Sequence, residues 1–494
     1  MMNNLIILPI ILPAMIGAIL VFFSKSQQIQ RFISVIAMTA ILIASIWLAI
    51  DVYNNGMRVI ALGDWPIPYG IPLVADMFAT VMVLLSAVIG VCCLFFAFRT
   101  IHPDRERFYF YPFYFFLIAG VNGTFLTGDL FNLFVFFEVT LLASYILIVH
   151  GSTAFQLRES FKYLAINVFS SMFFLVGIAY IYAATGTLNI ADIGRRVAEL
   201  EQDGVLNVIA VVLLFVFATK GALFPLYFWL PKSYTGPPAA ISALFVGLLT
   251  KVGIYAIIRV FTVIFHHDLS FTHHFILVLA GLTMLFGVLG AVAQYDFKGI
   301  LAYHSVSQVG YMVMGLGIFS PLALAGAIYF MVHHSIVKAA LFLFSGVAEK
   351  ITGSTDIRNM GGLLKTHPAF SWLFFITAMS LAGIPPLAGF FGKFSLIVPG
   401  LEETHYVVVA VSLFVGLLTL FSMMKIFSHS FWGRQKHSST QANIKTGGLL
   451  ITIAPLVVLT IVMGLAAEPI FFYLLDVAHE ILDPSIYIES VLGE

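Results

Sequence analysis

Long apolar runs alternate with short polar segments along the whole chain. A helix needs about 20 apolar residues to cross the hydrocarbon core of a bilayer. Counted on that basis, the runs predict about fourteen membrane-spanning helices. Their centres lie near residues 13, 40, 86, 118, 139, 172, 218, 251, 283, 308, 335, 384, 419 and 458. The pattern therefore predicts an all-α polytopic membrane protein.

Two of the apolar runs are interrupted by glycine and proline. The first reads KGALFPLYFWLP from Lys220, and the second reads GIPPLAGFFGK and ends at Lys393. They are about five spans apart, an odd number, so two units built around them would have opposite orientations in the membrane. Paired broken helices of this kind indicate inverted repeats with a site near the bilayer midplane. The simpler alternative is that these prolines only end helices near loops.

Composition narrows the class of protein and of partner. The chain is 61% hydrophobic and 10% charged, which a soluble domain of this length could not accommodate. Its formal net charge is zero, so neither nucleic acid nor a polybasic contact with anionic lipid is indicated. The only cysteines, Cys92 and Cys93, are adjacent, which excludes the spacing of a disulfide or of a thiol-ligated redox centre. The run from Leu5 to Phe23 lacks the features of a cleaved signal peptide, so we expect a retained first helix.

Loop charges predict the orientation of the helices. With about fourteen spans, one set of loops carries fifteen basic residues, including Lys436 and Lys445. The other set carries only Arg58, Arg195, Arg196 and Arg259. Because Lys and Arg concentrate in cytoplasmic loops, we predict that both termini lie outside the cytoplasm. The acidic tail from Asp476 to Glu494 would lie on the same side.

Five ionisable side chains lie deep inside the predicted spans. They are Glu138, Lys220, Lys251, Lys338 and Lys393. A charge at bilayer depth costs about 2.5–3.5 kcal/mol on insertion scales, so each is a candidate functional residue. One carboxylate and four lysines in a single chain suggest a route for protons. For Glu138, the alternative is a structural ion pair that only fixes helix packing.

The lysines differ in their surroundings. Pro225 follows Lys220 by about one turn and is expected to open the helix there, which would let water reach the ammonium group. Lys251 lies near the centre of its span, where a lysine can load and release a proton although an arginine cannot. Lys393 follows the second break. For Lys220 and Lys393, snorkelling to a membrane surface is the alternative.

A histidine and a lysine share one face of the eleventh predicted span. His334 and Lys338 are four residues apart, so their side chains lie on the same side of a helix. Two cationic groups at this spacing disfavour each other's charging, so a proton would reside on one or the other. The alternative for His334 is a neutral histidine satisfied by a neighbouring helix. His333 is expected to point elsewhere.

Four further charges lie close to span ends. Lys425 is within about two turns of a basic loop and is expected to snorkel. Asp76, Asp129 and Asp296 are expected to face water or to cap helices.

Several motifs identify a family. The segment KGALFPLYFWLPKSYTGPPAAISALFVGLLTKVGIYAIIR, which starts at Lys220, resembles the signature of the antiporter-like membrane subunits shared by respiratory complex I and the multisubunit Mrp-type cation/proton antiporters. The segments DFKGILAYHSVSQVG, HSIVKAALFLFSG and GIPPLAGFFGKF resemble later motifs of this family. The segments NNLIILPIILP and NLFVFFEVTLLASYILI are most similar to the D-type subunits of Mrp antiporters. The likeness covers nearly the whole chain.

The resemblance implies a proton path. Its members are an acidic residue on the fifth helix, lysines on the broken seventh and on the eighth, a histidine and a lysine on the eleventh, and a terminal residue on the broken twelfth. In this sequence these positions are, in the same order, Glu138, Lys220, Lys251, His334, Lys338 and Lys393. Some relatives have a histidine where this chain has Gln308, and His304 lies one turn earlier, so the titratable group of the tenth helix stays open. Some complex I relatives have Glu where this chain has Lys393.

The resemblance also implies two inverted five-helix repeats, helices four to eight and nine to thirteen. The predicted units are an N-terminal three-helix segment (1–104), the first repeat (105–268), the second repeat (269–433), and the fourteenth helix with the acidic tail (434–494).

These observations predict a proton-translocating subunit of a multisubunit Na⁺/H⁺ antiporter in a bacterial cell membrane. Its expected partners are other subunits, the lipid bilayer, protons and Na⁺, with no catalytic chemistry, metal or bound cofactor. One alternative is a proton-pumping subunit of a complex I-type or hydrogenase-type redox complex. A second is a scaffold subunit with structural ion pairs. A stand-alone transporter of organic solutes is disfavoured, because no substrate clamp is evident.

Overall fold

The structure is a computed structural model that describes residues 2–200, 203–266, 269–435 and 446–493. The predicted boundary at residue 268 and the loop residues Lys436 and Lys445 lie outside these residues. Within the described ranges, the fold consists of twenty-one α-helices, a few 3-10 turns and one two-stranded antiparallel sheet.

The helices are numbered in chain order. The first eleven are α1 (Leu8–Phe22), α2 (Gln27–Asn55), α3 (Met77–Thr100), α4 (Pro103–Glu106), α5 (Phe110–Leu126), α6 (Leu130–Val149), α7 (Ala154–Thr185), α8 (Ile190–Glu199), α9 (Asp203–Gly221), α10 (Leu230–Thr235) and α11 (Ala239–Val263). The others are α12 (Thr272–Ala293), α13 (Phe297–Ile318), α14 (Pro321–Thr352), α15 (Leu363–Thr366), α16 (Pro368–Ala382), α17 (Ala388–Glu402), α18 (Tyr406–Ser430), α19 (Gly447–Leu465), α20 (Ala467–Leu482) and α21 (Pro484–Leu492). Strands β1 (Arg58–Ala61) and β2 (Pro72–Ala75) pair with Arg58 opposite Ala75.

Most of the long helices are suited to crossing a membrane. Eleven candidate spans occur among the described residues, and each contains one predicted span centre. The other predicted centres lie in the shorter helix α5, in the more polar helix α13, and at the break between α16 and α17. The all-α polytopic membrane fold is therefore confirmed. The count of fourteen spans stays a prediction.

Both predicted helix breaks are present. Helix α9 ends at Gly221, and a 3-10 turn over Leu226–Trp229 separates it from α10. Helix α16 ends at Ala382, followed by Gly383 with a positive φ of 90°, and α17 begins five residues further on. Glycine adopts this left-handed conformation without the steric cost that a side chain would add. Each predicted broken span is thus two helices separated by irregular backbone.

The two halves of the molecule repeat the same elements. Helices α7 and α14 are both 32 residues long, and α11 and α18 are both 25 residues long. An isolated antiparallel bridge joins Asp129 to Asn189 in the first half, and an equivalent bridge joins Asp296 to Asp356 in the second. The repetition supports the predicted five-helix units. Their inverted orientation and the four-part division of the chain stay predictions.

Aspartates at span ends start several helices. Asp76, Asp129 and Asp296 precede α3, α6 and α13, and each accepts a hydrogen bond from the N–H three residues later, at 2.7, 2.7 and 2.6 Å. This is the capping geometry expected from the sequence. Asp76 does not face water, since it is only 1% exposed. Lys425 donates to two carbonyl oxygens at the end of α12, at 2.7 and 2.6 Å, and its expected snorkelling stays a prediction.

Helices α11, α13 and α14 occupy the centre of the fold. Every residue of α11 is buried, and α13 and α14 are buried along most of their length. A helix that is buried on all sides usually has apolar residues all round. These three helices nevertheless carry Lys251, His304, Gln308, His334 and Lys338. These three buried helices therefore contain five polar or charged side chains that have almost no exposure.

A glycine contact sets the spacing of α9 and α11. A Cβ atom on Gly253 would lie 2.4 Å from the backbone nitrogen of Gly221 and 2.8 Å from the carbonyl carbon of Lys220. Those atoms belong to the backbone and cannot rotate away. In α12, a Cβ on Gly281 would meet only Val408, at an ordinary distance of 3.7 Å.

We predict that Gly253→Ala destabilises the protein by about 1–3 kcal/mol, the usual cost of overpacking a core. Gly281→Ala, the matched control, should be neutral or stabilising by up to about 1 kcal/mol, because alanine is the better helix former. Thermal unfolding of the two purified variants would measure the difference. Equal midpoints would show that the close helix contact does not limit stability.

Candidate functional site

A carboxylate, a hydroxyl and an ammonium group form a small network at one end of the buried polar residues. Glu138 of α6 accepts a short hydrogen bond from the hydroxyl of Ser171 on α7. The Nζ of Lys220 donates to the same hydroxyl oxygen at 3.2 Å. Ser171 is therefore a donor to the carboxylate and an acceptor from the ammonium group. It connects the two charged residues that the sequence predicted to act together.

The break after α9 shapes the surroundings of Lys220. A broken helix leaves backbone groups without their usual partners, and these need other partners at membrane depth. The Thr219 carbonyl oxygen accepts from the indole nitrogen of Trp229 at 3.0 Å, and the Phe224 N–H donates to the Thr283 hydroxyl at 3.0 Å. The side chains of Trp229 and Thr283 thus provide hydrogen-bond partners for the backbone groups of Thr219 and Phe224 at the break.

A small cavity lies between Lys220 and α11. It measures ≈ 20 Å³ and is lined by polar groups of Lys220, Thr140, Tyr163 and Asn167 together with apolar residues of α11. A buried water needs about 10–15 Å³ for its centre and two to four polar partners. The cavity is large enough for one water molecule, and four of its lining residues have polar side chains. Lys220 therefore has space for a water on the side that faces the helix of Lys251.

Lys251 is held inside α11 by its own helix. It is completely buried, and its Nζ donates to the carbonyl oxygen of Val246 at 2.6 Å. Gly253, two residues further along α11, packs against the backbone at Lys220 and Gly221. The seventh-span and eighth-span lysines of the sequence prediction are thus on two helices in direct backbone contact.

His334 and Lys338 lie on α14, facing α11 and α13. The Nζ of Lys338 donates to the carbonyl oxygen of Leu301 on α13 at 2.6 Å. Lys338 interacts electrostatically with Lys251, and His334 interacts with both lysines and with His304. The structure therefore brings together the residues that the sequence assigned to the eighth and eleventh spans.

Two histidines in this central group are not satisfied by the protein. Among the described residues, neither ring nitrogen of His304 or of His334 has a hydrogen-bond partner. Leaving a buried polar group unpaired costs about 1–3 kcal/mol, so such groups call for an explanation. His304 also interacts electrostatically with Lys338 and Lys393. Of the two tenth-span residues that the sequence left open, His304 therefore has these lysines as electrostatic neighbours, whereas Gln308 contacts Thr419 at 3.4 Å.

Lys393 is held at the second break. Its Nζ donates to the carbonyl oxygens of Leu381 and Ala382, at 3.3 and 3.0 Å. These are the last carbonyls of α16, which carry the partial negative charge of a helix C-terminus. The Nζ also lies 5.2 Å from the ring centroid of Tyr311. Lys393 is buried, with 8% exposure.

His333 lies beside Lys393. Its Nε2 is 2.9 Å from the hydroxyl of Ser380, which is in turn 2.9 Å from the hydroxyl of Thr460 on α19. His333 also interacts electrostatically with Lys393. Helical periodicity correctly separates His333 from the face of His334. Periodicity could not show that Lys393, on the helix after the break that follows α16, lies near His333.

Sequence reasoning missed Ser171 and His333 as members of this arrangement. Ser171 lies in FSSMFF, where nothing distinguishes it from the adjacent Ser170. The sequence offered one signal, a polar residue inside a span. To use that signal, one must know that this span packs against the helix that carries Glu138. The adjacent histidines were a stronger signal.

The central lysines share one kind of contact. Lys251, Lys338 and Lys393 all donate to backbone carbonyl oxygens. A carbonyl oxygen has no formal charge, so it stabilises an ammonium group less than a carboxylate does. Burying an ammonium group without a carboxylate is therefore costly. These three buried lysines call for a functional explanation.

Comparison with known proteins identifies the family. The family described as "NADH:quinone oxidoreductase/Mrp antiporter, TM" matches residues 127–419, which contain all the predicted path residues. The chain belongs to this family. The resemblance that the sequence motifs predicted is therefore confirmed.

Individual relatives give closer matches within the family. A protein of Alkalihalophilus pseudofirmus that is named as the D-type subunit of a Na⁺/H⁺ antiporter is 67% identical over the full length of both chains. The protein of the same name from Bacillus subtilis is 45% identical, again over the full length of both. A chain of the Mrp complex from Dietzia sp. DQ12-45-1b superposes with a TM-score of 0.92 at 31% identity, covering all of both chains. The similarity to D-type Mrp subunits is therefore confirmed along the whole chain.

A respiratory complex also contains this fold. A chain of the membrane-bound sulfane sulfur reductase, an archaeal respiratory membrane complex, superposes with a TM-score of 0.93 at 28% identity. The match covers 99% of this chain and all of that one. The same membrane architecture thus occurs in complexes with different overall activities.

Proposed function

We propose that this chain is a proton-translocating subunit of a multisubunit Na⁺/H⁺ antiporter. The observation that carries the proposal is the full-length, 67% identity to a relative named as the D-type subunit of such an antiporter. The buried lysines and histidines of α11, α13 and α14 give the proposal a physical basis. The division into an N-terminal segment, two inverted repeats and a C-terminal unit belongs to the same proposal, as do a cell-membrane location and termini outside the cytoplasm.

The proposed route crosses the centre of the molecule from one helix break to the other. It starts at Glu138 and Lys220, continues to Lys251, and passes through the group formed by His334, Lys338 and His304 to Lys393. Water molecules complete the steps that side chains do not span, as the cavity beside Lys220 suggests. The protein's contribution is electrostatic, because each lysine's proton affinity depends on whether its neighbours are charged.

The Glu138–Ser171–Lys220 network is the proposed switch. While it is closed, the carboxylate stabilises the Lys220 ammonium through the serine, and Lys251 is free to take up a proton. When it opens, the Lys220 charge moves toward α11 and repels a proton on Lys251. Because the coupling is by charge, no bound cofactor is required.

A second candidate is a proton-pumping subunit of a redox complex. It is favoured by the structural match to a chain of an archaeal respiratory membrane complex. The two candidates share the conducting core and differ in the proteins that surround it. Purification of the native complex and identification of its subunits separates them. Co-purifying proteins with iron–sulfur or quinone sites would favour the redox candidate.

We predict that Glu138→Ala and Lys220→Ala each lower cation-dependent proton movement by about a hundredfold or more, a typical cost of losing a proton-transfer group. The measurement is antiport in membrane vesicles that contain the assembled complex. Glu402→Ala, which removes an exposed carboxylate at the end of α17, is the control and should be silent. Normal transport by both variants in intact complexes would leave the scaffold role as the explanation.

Lys251→Met tests the centre of the route. Methionine keeps most of the length of lysine but cannot carry a proton, so we expect transport to be abolished while assembly is retained. Lys365→Met, at an exposed lysine of α15, is the matched control. If Lys251→Met transports at the wild-type rate, Lys251 is not on the route.

Ser171→Ala tests the bridge within the switch. Without the hydroxyl, Glu138 and Lys220 lose their shared partner, and we expect a drop of about tenfold in transport, the effect of losing one hydrogen bond to a charged group. The pH profile of transport should shift as well, because the carboxylate no longer stabilises the ammonium. Ser171→Thr restores a hydroxyl and should recover both properties. Equal behaviour of the alanine and threonine variants would indicate a packing role only.

A further inference from the structure

A pocket at the end of α6 is not used by the route proposed above. It measures ≈ 480 Å³. Arg105 of α4 lines it, together with His150, Gly151 and Ser152 of the turn that follows α6. Both segments belong to the set of loops that carries most of the basic residues of the sequence. These loops are predicted to be cytoplasmic, so the pocket lies on the side of the membrane where positive charge is concentrated.

Arg105 is the charged group of the pocket. Two other basic residues on this side are ion-paired, Arg31 with Glu106 and Lys162 with Glu159. Arg105 is exposed and forms no ion pair with any residue that the structure describes. A guanidinium group presents a planar set of N–H donors that matches the oxygens of a phosphate group. The pocket therefore offers an unpaired cation to an anionic ligand.

The turn after α6 makes room for this guanidinium group. Gly151 has a φ of 129° and Ser152 a φ of 52°, so two successive residues adopt left-handed conformations. A Cβ atom on Gly151 would lie 3.2 Å from Nη1 of Arg105. A residue with a side chain would therefore be strained at this position and would also crowd the arginine. Gly151 thus allows Arg105 to lie against the turn.

His150 adds a polar group that the protein leaves without a partner. It is only 7% exposed. Its ring meets the ring of Phe110 edge-on, with the centroids 5.6 Å apart, and approaches the backbone of Arg105. Neither ring nitrogen forms a hydrogen bond of normal geometry with a described residue. Because buried polar groups are almost always hydrogen-bonded, a ligand that accepts from the imidazole N–H would supply the missing partner.

An apolar stripe on α6 leads to the pocket. Leu142, Ile146 and Val149 are four and three residues apart and so lie on one face of the helix. Leu142 is 57% exposed, and Ile146 and Val149 line the pocket. Helix α6 is one of the candidate membrane spans, so this stripe faces the hydrocarbon of the bilayer. An acyl chain that lies along the stripe for about 10 Å would bring its headgroup to the pocket.

Two aromatic side chains indicate the depth of the pocket in the membrane. Phe108, which is 70% exposed, and Tyr145 both line it. Tyrosine is enriched where a span meets the headgroup region of the bilayer. Since α6 ends at Val149, the pocket lies at the level of the lipid phosphates.

We propose that this pocket binds the phosphodiester headgroup of an anionic phospholipid. Arg105 donates charge-assisted hydrogen bonds to the phosphate oxygens, and the N–H of His150 donates another. The acyl chains lie along the apolar stripe of α6. Basic pockets beside membrane helices on the cytoplasmic side are a known kind of lipid site. The zero net charge of the chain could not reveal it, because the site depends on one unpaired arginine in a shaped pocket.

Other occupants fit the pocket less well. A soluble phosphate ion would use Arg105 and His150 but would leave the apolar wall in contact with water. A metal cation would be repelled by Arg105. A helix of a partner subunit could cover Phe108 and Leu142, but it would bury the guanidinium group without supplying an anion. The soluble ion and the partner helix are therefore separate outcomes of the test.

A cysteine in the turn reports occupancy of the pocket. Ser152 is exposed and lines the pocket, whereas Cys92 and Cys93 are buried, so Ser152→Cys adds a reactive thiol to this chain. The assembled complex with this change is washed free of lipid in detergent. It is then placed in nanodiscs of phosphatidylethanolamine that contain increasing amounts of phosphatidylglycerol. The rate at which a maleimide labels this chain is measured by mass spectrometry.

Two further variants are made in the Ser152→Cys complex. Arg105→Gln removes the proposed phosphate ligand and keeps most of the side-chain length. Arg107→Gln is the matched control, because it removes the same charge from an exposed position two residues away that does not line the pocket. It therefore measures the general attraction of this loop to anionic lipid.

We expect phosphatidylglycerol to slow labelling of Ser152→Cys. Arg105→Gln should need about tenfold more phosphatidylglycerol for the same effect, the usual factor for losing a hydrogen bond to a charged group. Arg107→Gln should need at most about fivefold more, the factor for one basic residue near an anionic surface. Equal shifts for the two variants, or labelling that phosphatidylglycerol does not slow, would overturn the proposal.

Two additional conditions separate the other occupants. Inorganic phosphate added to nanodiscs of phosphatidylethanolamine alone should leave labelling fast, and protection equal to that of phosphatidylglycerol would assign the pocket to a soluble anion instead. Labelling in detergent after the lipid wash should also be fast. Slow labelling there would show that a partner subunit covers the pocket and would equally overturn the proposal.

A measurement on the wild-type complex covers the case in which the variants do not assemble. We expect phosphatidylglycerol with a photoreactive group on its glycerol headgroup to crosslink to residues 105–108 and 149–152. Excess phosphatidylglycerol should compete with this crosslinking, and phosphatidylethanolamine should compete less. Crosslinks that occur only in other parts of the chain, or equal competition by both lipids, would contradict a headgroup site at Arg105.

Discussion

Buried ammonium groups are held in this protein by backbone carbonyl oxygens, and the other features of its interior depend on that contact. A carboxylate partner would stabilise the charged lysine strongly and so hold its proton. A carbonyl oxygen has no formal charge, so it stabilises a buried ammonium group less than a carboxylate would. Lys251, Lys338 and Lys393 all have carbonyl partners, whereas Lys220 is connected to a carboxylate through Ser171. In the proposed route, this difference distinguishes Lys220 from the three lysines that follow it.

The architecture supplies these carbonyls and keeps water out. The break after α16 exposes the last carbonyls of that helix to Lys393. The close contact at Gly253 brings the end of α9 against α11, so the lysines of the two helices are neighbours. The polar side chains of α11, α13 and α14 are shielded by the helices that pack around these three.

The sequence predicted the helices well because hydropathy and the cost of buried charge act locally. Each predicted span centre lies in a helix or at a helix break, and both breaks occur where glycine and proline interrupt an apolar run. Contacts between helices were harder to predict. Ser171 and His333 acquire their surroundings from helices distant in the sequence, and Lys425 donates to carbonyls at the end of α12 that no local pattern indicates. Charge identifies candidate residues, but only packing shows their partners.

The repeated elements of the two halves have a consequence for the ancestry and polarity of the molecule. Helices α6 and α13 both follow a capping aspartate, and Glu138, the ninth residue of α6, corresponds to Ser305, the ninth residue of α13. Ser171 is the eighteenth residue of α7, and Lys338 is the eighteenth of α14. An acid and a hydroxyl in one half therefore correspond to a hydroxyl and a base in the other. The two halves therefore differ in the sign of the charge that they carry at these corresponding positions, negative in the first and positive in the second.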